Sequence, residues 1–200
     1  MIRLSVTDLE SFRYWRDDEE SELPDLLRRL QRLDPPTDQM EAGRAFAKLF
    51  EQANVGEIKW ATVDGWRFRF DLDAELELAP VRELKTERVF QTPSGPVTLV
   101  GMVDGTTGRR IRDQKLTQRW DAEKYTESLQ WRAYLVMLGA DTFTYDVFVG
   151  RYKGQEVTIG EYHPLTFYAY PNMAEDVQRA VNELAAIVAH HLPERVVANA

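Results

Sequence analysis

The chain has 200 residues, of which 44% are hydrophobic and 29% are charged, so it is long enough to bury one sizeable core. It contains no cysteine, which excludes disulfides, thiolate zinc sites, iron–sulfur clusters and cysteine nucleophiles. With three histidines, any bound metal is expected to be held by oxygen. The net charge of −8 disfavours unspecific coating of nucleic acid. The N-terminus lacks an apolar signal core and no apolar run is long enough to span a membrane, so we expect a cytoplasmic protein without a membrane partner.

The N-terminal quarter is predicted to be helical. Thr7 and Glu10 have the spacing of a capping box, which predicts a helix from about residue 7. A second helical piece is predicted at residues 25–33, where a proline pair then breaks the pattern. A longer helix is predicted from residue 37 or 38 to about Ala53.

Between residues 57 and 103 apolar residues alternate with charged ones, which predicts half-exposed antiparallel strands. The P-S-G-P segment at 93–96 marks a hairpin turn, and residues 105–108 supply the next turn. Asp104 and Asp113 are therefore expected on adjacent strands.

Asp121 is predicted to open a helix that ends at Gly139, and the strand after it could lie parallel to an earlier one. The predicted fold is a single α/β domain over residues 1–200, with a central mixed β-sheet flanked by helices. It divides into a helical part (1–55), a sheet part (57–170) that contains the helix at 121–139, and a C-terminal helix (172–191).

Acidic residues follow two strand-like runs, and these are the candidate catalytic groups. Asp104 closes V-T-L-V-G-M-V-D, and R-R-I-R-D-Q-K carries Asp113 and Lys115. Residues at i and i+2 on a strand share a face, so two carboxylates and an ammonium would converge. Carboxylates suit Mg²⁺ or Mn²⁺, and a neighbouring lysine can stabilise a phosphate or an activated water. The pattern therefore predicts phosphodiester cleavage.

The order of these segments resembles the PD-(D/E)XK nuclease superfamily, and in particular its RecB-like and phage-type exonuclease branch. Residues 4–15 resemble its opening helix, G-M-V-D at 101–104 its second motif, and D-Q-K at 113–115 its third. Gln130 and Tyr134 match its Q-x-x-x-Y motif. The resemblance implies a restriction-endonuclease-like core.

The resemblance also implies a division of roles. Asp104, Asp113 and the backbone carbonyl of Gln114 would bind Mg²⁺ or Mn²⁺, and Lys115 would position or polarise the attacking water. The two residues of the Q-x-x-x-Y motif would orient the site or contact the DNA backbone.

One expected ligand is missing. RecB-like nucleases carry G-x-x-x-H on the helix before the sheet, but here Gly43 is followed four residues later by Ala47. Glu51, one helical turn further along the same face, could supply an acid instead, or it could be an ordinary exposed helix glutamate. The number of metal ions is therefore left open.

A second segment also fits the loose acid and [DE]-x-K pattern, namely Asp73 followed by Glu83 and Lys85. No Q-x-x-x-Y helix follows it directly. We therefore interpret these residues as solvent-facing charges on an amphipathic strand.

Basic residues crowd the candidate site and are the predicted DNA contacts: Arg109, Arg112, Arg119 and Lys124. The alternative is that they only decorate solvent-facing positions of strands and turns.

Together these features predict a divalent-metal-dependent DNA exonuclease that acts on linear duplex ends or single strands in phage-type recombination or DNA repair. The alternatives are an endonuclease of the same superfamily and a catalytically silent DNA-binding or assembly module. The resemblance also allows a single-strand annealing protein as partner and a ring-shaped homo-oligomer.

Overall fold

A computed structural model describes residues 1–54, 58–72 and 77–196. The helices are α1 (Val6–Asp17), α2 (Leu23–Leu30), α3 (Asp38–Gln52), α4 (Ala122–Thr126), α5 (Leu129–Leu138) and α6 (Met173–His191), and α6 is followed by a 3₁₀ turn (Pro193–Arg195). The strands are β1 (Ile2–Ser5), β2 (Trp60–Val63), β3 (Trp66–Phe70), β4 (Val81–Thr92), β5 (Gly95–Thr107), β6 (Arg110–Thr117), β7 (Thr142–Lys153) and β8 (Glu156–Tyr168).

Within the described ranges the strands form one mixed sheet of eight strands. Its order is β1-β5-β6-β7-β8-β3-β2, and β4 pairs with β5. The pairs β1/β5, β6/β7 and β3/β8 are parallel, and the remaining neighbours are antiparallel. The predicted α/β fold with a central mixed sheet flanked by helices is confirmed, including a parallel strand after the helical segment.

Two hydrophobic clusters cover the two faces of the sheet. The larger one packs α1, α2, α5 and α6 against the sheet, and the smaller one packs α3 against β3 and β8. The neighbouring residues Val147 and Phe148 of β7 belong to different clusters, as the alternation of a strand requires. The helix α3 therefore lies on the face opposite α1 and α5.

The N-terminus differs from the prediction because a strand precedes the first helix. Ile2 and Leu4 are buried in β1, which runs parallel to residues 97–100. The capping box is Ser5 with Asp8, not Thr7 with Glu10: Ser5 Oγ accepts from the Asp8 N–H at 3.1 Å, and Asp8 Oδ2 accepts from the Ser5 N–H at 2.8 Å. A strand of four residues is too short to show its period in the sequence.

The predicted helix at 121–139 is broken into α4 and α5. Ser128 causes the break, because its Oγ accepts a hydrogen bond from the Gln130 N–H at 3.1 Å and so caps a new helix. Asp121 does open the first helix, and Gly139, with φ of +61°, ends the second as predicted.

The turn predicted at residues 105–108 is wrong: β5 continues to Thr107 and pairs with β6, so only residues 108–109 lie between the two strands. The antiparallel prediction for residues 57–103 is wrong for β3, which pairs with β8 in parallel. The hairpin turn after Thr92 and the C-terminal helix are found as expected. Asp73 lies outside the described residues, as does residue 57. No helix in the described part of the chain has the length and apolar character needed to cross a membrane.

Candidate active site

The site forms where β5 changes partners along one edge. β5 pairs with β1 over residues 97–100 and with β6 only over residues 105–107. Residues 101–104, the G-M-V-D segment, face the opening between these two partners. Here β5 and β6 diverge, and we call this opening the fork.

Tyr134 of α5 fills the part of the fork next to Met102. Its hydroxyl donates to the Met102 carbonyl at 2.8 Å and accepts from the Met102 N–H at 3.2 Å. A Cβ on Gly101 would lie 2.5 Å from Tyr134 Cε1 and 2.9 Å from its hydroxyl oxygen, so only glycine fits there. Tyr134 is buried and hydrogen-bonds to the backbone of β5 at a point where no strand pairs with it on that side.

The predicted acids and their partners converge at the fork. Asp104 Oδ2 accepts from the backbone N–H of Gln114 at 2.9 Å. Asp113 is only 2% exposed, and its Oδ2 lies 2.6 Å from Lys115 Nζ. Its Oδ1 accepts from Gln130 Nε2 at 2.9 Å. The structure therefore brings together the catalytic residues predicted from sequence, with Tyr134 behind them.

The oxygen atoms at the fork fit a hard divalent cation. Asp113 Oδ2 is buried and pairs with the Lys115 ammonium. Because the N–H and C=O of one strand residue point to the same side, the Gln114 carbonyl also faces Asp104. No three Asp, Glu or His side chains in the described segments are grouped closely enough to hold a metal. An ion here would rely on two carboxylates, a carbonyl and water.

Burial dominates the electrostatics of the site. It raises the pKa of Asp104 to about 7, with help from the negative charge of Asp113. Burial also raises the pKa of Asp113, against the attraction of Lys115. Burial opposes the charge of Lys115, but the two aspartates outweigh it and raise the pKa of that ammonium. The lysine is therefore charged at neutral pH, and two acids share one positive charge.

Glu51 does not join the two aspartates. It lies exposed in the last turn of α3, where its backbone carbonyl accepts from Arg82 at 2.8 Å. Its charge contributes to the raised pKa of Glu83, so Glu51 lies near the site, and its role as a metal ligand stays a prediction.

Glu83, which the sequence suggested was a remote surface charge, is next to the site. Arg82 pairs with Gly105 and Leu84 with Val103, so Glu83 stands opposite Asp104 in the hairpin, with φ of +53°. Its charge adds to the raised pKa of Asp104. Counting back from the P-S-G-P turn would have located Glu83 there.

Two of the predicted DNA contacts point elsewhere. Arg109 donates to both carboxylate oxygens of Asp141, at 2.7 and 2.6 Å, on the exposed turn. Arg112 donates to Asp146 at 2.8 and 2.6 Å and faces the α3 side of the sheet. Since Arg112 and Asp113 are neighbours on one strand, their side chains must lie on opposite faces. The other two predicted contacts, Arg119 and Lys124, are exposed, and Lys124 lines a small cavity that Lys115 and Gln130 also line.

A cleft of about 760 Å³ opens onto the fork. Asp104, Asp113 and Lys115 line one part of it, and Arg3 and Lys85 line another. Sequence reasoning missed these two cations, because β1 had not been predicted and Lys85 had been grouped with surface charges. A second cavity of about 230 Å³ meets the cleft at Lys115.

No family model matches this chain, and no curated protein matches it by sequence. The fold, however, is shared with solved structures. SSO0001 aligns with a TM-score of 0.54 at 12% identity, over 98% of this chain and 89% of its own. A candidate exonuclease from Eubacterium rectale aligns with a TM-score of 0.51 at 10% identity, over 96% and 79%. The alkaline exonuclease LHK-Exo from Laribacter hongkongensis gives 0.46 at 12% identity, over 96% and 89%. At these identities the likeness shows the fold alone.

Proposed function

We propose that this protein is a divalent-metal-dependent deoxyribonuclease that hydrolyses phosphodiester bonds, with Asp104, Asp113 and Lys115 at its centre. The observation that carries the proposal is the pairing of a buried and a half-buried carboxylate on diverging strands, Asp113 and Asp104, beside one ammonium in an open cleft. Acids whose pKa values are perturbed by burial and by a charged partner, and which line a cleft, are typical of functional sites, whereas exposed ion pairs contribute little.

Asp104, Asp113 and the Gln114 carbonyl would hold Mg²⁺ or Mn²⁺. When bound, such an ion neutralises charge on the scissile phosphate and lowers the pKa of a coordinated water. The chain's own groups supply the positioning. Gln130 holds Asp113 through one carboxylate oxygen.

Lys115 acts as a fixed positive charge in this proposal. Because its pKa is raised, it keeps its proton at neutral pH and cannot serve as the general base. It donates hydrogen bonds to a phosphate oxygen or to the attacking water instead.

DNA enters through the cleft in this proposal. Arg3 and Lys85 would contact phosphates on either side of the fork, and the net charge of −8 limits DNA contact to such local basic groups. The fold likeness to a protein named as a candidate exonuclease favours action on the ends of linear DNA. A role in phage-type recombination or repair, an annealing partner and a ring-shaped homo-oligomer extend the proposal by family resemblance.

The test uses the purified chain with Mg²⁺ or Mn²⁺ and three substrates: linear duplex, single-stranded and closed circular DNA. We expect the linear DNA to be degraded, EDTA to stop the reaction, and Asp113→Asn to abolish it. Arg109→Ala, a charge change outside the cleft, is the matched control and should remain active. Cleavage of closed circles would indicate an endonuclease, and DNA binding without cleavage a silent module. Activity that survives Asp113→Asn would refute the proposal.

A further inference from the structure

A chain of side-chain hydrogen bonds leads from α1 to the catalytic aspartate. The Glu10 carboxylate accepts from Ser128 Oγ at 3.0 Å. The Ser128 and Tyr145 hydroxyl oxygens are 3.0 Å apart, and the Tyr145 hydroxyl donates to Gln130 Oε1 at 3.3 Å. Gln130 Nε2 in turn donates to Asp113 Oδ1 at 2.9 Å. Glu10 and Asp113 are thus joined through three intervening side chains.

Chemistry fixes the direction of these bonds. A carboxylate can only accept, so the NH₂ group of Gln130 must face Asp113, and its Oε1 must face Tyr145. For the same reason the Ser128 hydroxyl donates its one hydrogen bond to Glu10, and Ser128 Oγ can only accept hydrogen bonds from its other partners. The Tyr145 hydroxyl therefore donates a hydrogen bond that is shared between Ser128 Oγ and Gln130 Oε1.

Tyr145 is built rigidly into this place. It lies on β7 directly beside Asp113 of β6 in the parallel register and is 1% exposed. Its ring packs against Phe143 at 4.8 Å and Tyr125 at 5.0 Å between centroids. It does not line the large cleft, and its ring lies beside the Lys115 ammonium, 5.8 Å from Nζ to the ring centroid. Its hydroxyl reaches Asp113 only through Gln130.

The other end of the chain is anchored equally firmly. Glu10 Oε2 also accepts from the backbone N–H of Leu129 at 2.9 Å, at the N-terminus of α5. Arg13, itself buried, holds the second oxygen of Glu10 at 2.9 Å. The break between α4 and α5 is what places Ser128 between Glu10 and Tyr145.

We propose that Tyr145 is a positioning residue, which holds the Gln130 amide with its NH₂ group on Asp113 and thereby fixes that carboxylate for the divalent cation. This inference rests on the proposed function, since it assigns a task within the same metal site. Without the Tyr145 hydroxyl, Gln130 Oε1 loses its donor and the amide can turn away from Asp113. Ligand carboxylates held by fewer outer partners bind metal more weakly.

The first experiment measures Mn²⁺ affinity of the whole chain by calorimetry. Tyr145→Phe keeps the ring and removes one hydrogen bond, so we expect the Kd to rise about fivefold. Tyr162→Phe is the matched control, because the Tyr162 hydroxyl donates to the buried Asp146 at 2.7 Å on the opposite face of the sheet. It should leave the Kd unchanged, even if it lowers the melting temperature. An unchanged Kd in Tyr145→Phe would overturn the proposal.

A double-mutant cycle separates positioning from a general loss of structure. Gln130→Ala removes the group through which Tyr145 is proposed to act. In that background Tyr145→Phe should have no further effect on Mn²⁺ affinity. If the increases in Kd caused by the two single substitutions multiply in the double variant, Tyr145 acts by a route other than Gln130, and the proposal is contradicted.

A third measurement does not need the metal. The side-chain amide signals of Gln130 are identified in ¹⁵N spectra as those lost in Gln130→Ala. We expect Tyr145→Phe to shift these signals strongly and Tyr162→Phe to leave them in place. If the wild-type chain binds no Mn²⁺, the proposed function fails and the spectra still decide on Tyr145. Unshifted Gln130 signals in Tyr145→Phe would refute its positioning role.

Discussion

Replacement of Asp104 by asparagine should abolish metal binding and yet stabilise the metal-free protein at neutral and alkaline pH. Burial, together with the charge of Asp113, raises the pKa of Asp104 from 3.8 to about 7. The folded protein therefore keeps the proton that the unfolded chain gives up near pH 4. The stability that Asp104 contributes is fully present below about pH 4 and is lost as the pH rises towards 7.

The magnitude follows from the two pKa values. Each unit of pKa difference corresponds to about 1.4 kcal/mol. Relative to full protonation, Asp104 lowers the free energy of unfolding by about 2 kcal/mol at pH 5 and by about 4 kcal/mol at pH 8. Asparagine has the same shape and carries no such penalty. The gain from Asp104→Asn should therefore be larger at pH 8 than at pH 5, by about 2 kcal/mol.

Urea unfolding in EDTA at the two pH values measures this difference. Asp141→Asn is the control: Asp141 is an exposed partner of Arg109, whose hydrogen bond lowers the pKa of Asp141, so its removal should not stabilise the protein. Mg²⁺ should raise the stability of the wild type at pH 8 and leave Asp104→Asn unchanged. If Asp104→Asn destabilises the metal-free protein, or has the same effect at both pH values, the reasoning about the buried carboxylate is wrong.

Three further outcomes are expected. Gly101→Ala places a Cβ 2.5 Å from an aromatic ring and should lower the free energy of unfolding by roughly 1–3 kcal/mol, whereas Gly160→Ala, in open space on β8, should change it little. Calorimetric melting checks both, and equal effects would contradict the close packing at the fork. Lys85→Ala should weaken the binding of a short single-stranded DNA and lower the salt dependence of that affinity, whereas Arg109→Ala should do neither. Fluorescence anisotropy in Ca²⁺ measures both quantities. Glu51→Gln should change the Mn²⁺ Kd by no more than about twofold. A Kd about ten times higher would identify Glu51 as a metal ligand.

The fold was predictable from the sequence where the signals are local. The long alternation before residue 103 and the P-S-G-P turn specify a hairpin, and Gly139 specifies a helix end. The missed features depend on partners far away in the chain. β1 is a strand because residues 97–100 accept it as a parallel neighbour, and Ser128, which caps α5, is held in place by its hydrogen bond to Glu10 on α1.

The site was predictable to a similar extent. The spacing of Asp104, Asp113 and Lys115 was enough to place them together, since strand alternation and one tight turn determine where the three side chains lie relative to one another. Arg3 could not be assigned to the cleft without β1. The error over Arg112 was avoidable, because a residue next to Asp113 on a strand cannot share its face.

The fork also explains why the G-M-V-D segment at 101–104 and the Q-x-x-x-Y motif occur together in this chain. Tyr134 binds the backbone of β5, and Gln130 binds Asp113 of β6. Four residues of helix advance about 6 Å, while neighbouring strands are about 4.8 Å apart. One face of α5 can therefore contact both strands: its tyrosine binds β5 and its glutamine binds β6. A spacing of two or five would turn one of the two side chains away from its strand, so a spacing of four suits the width of the fork.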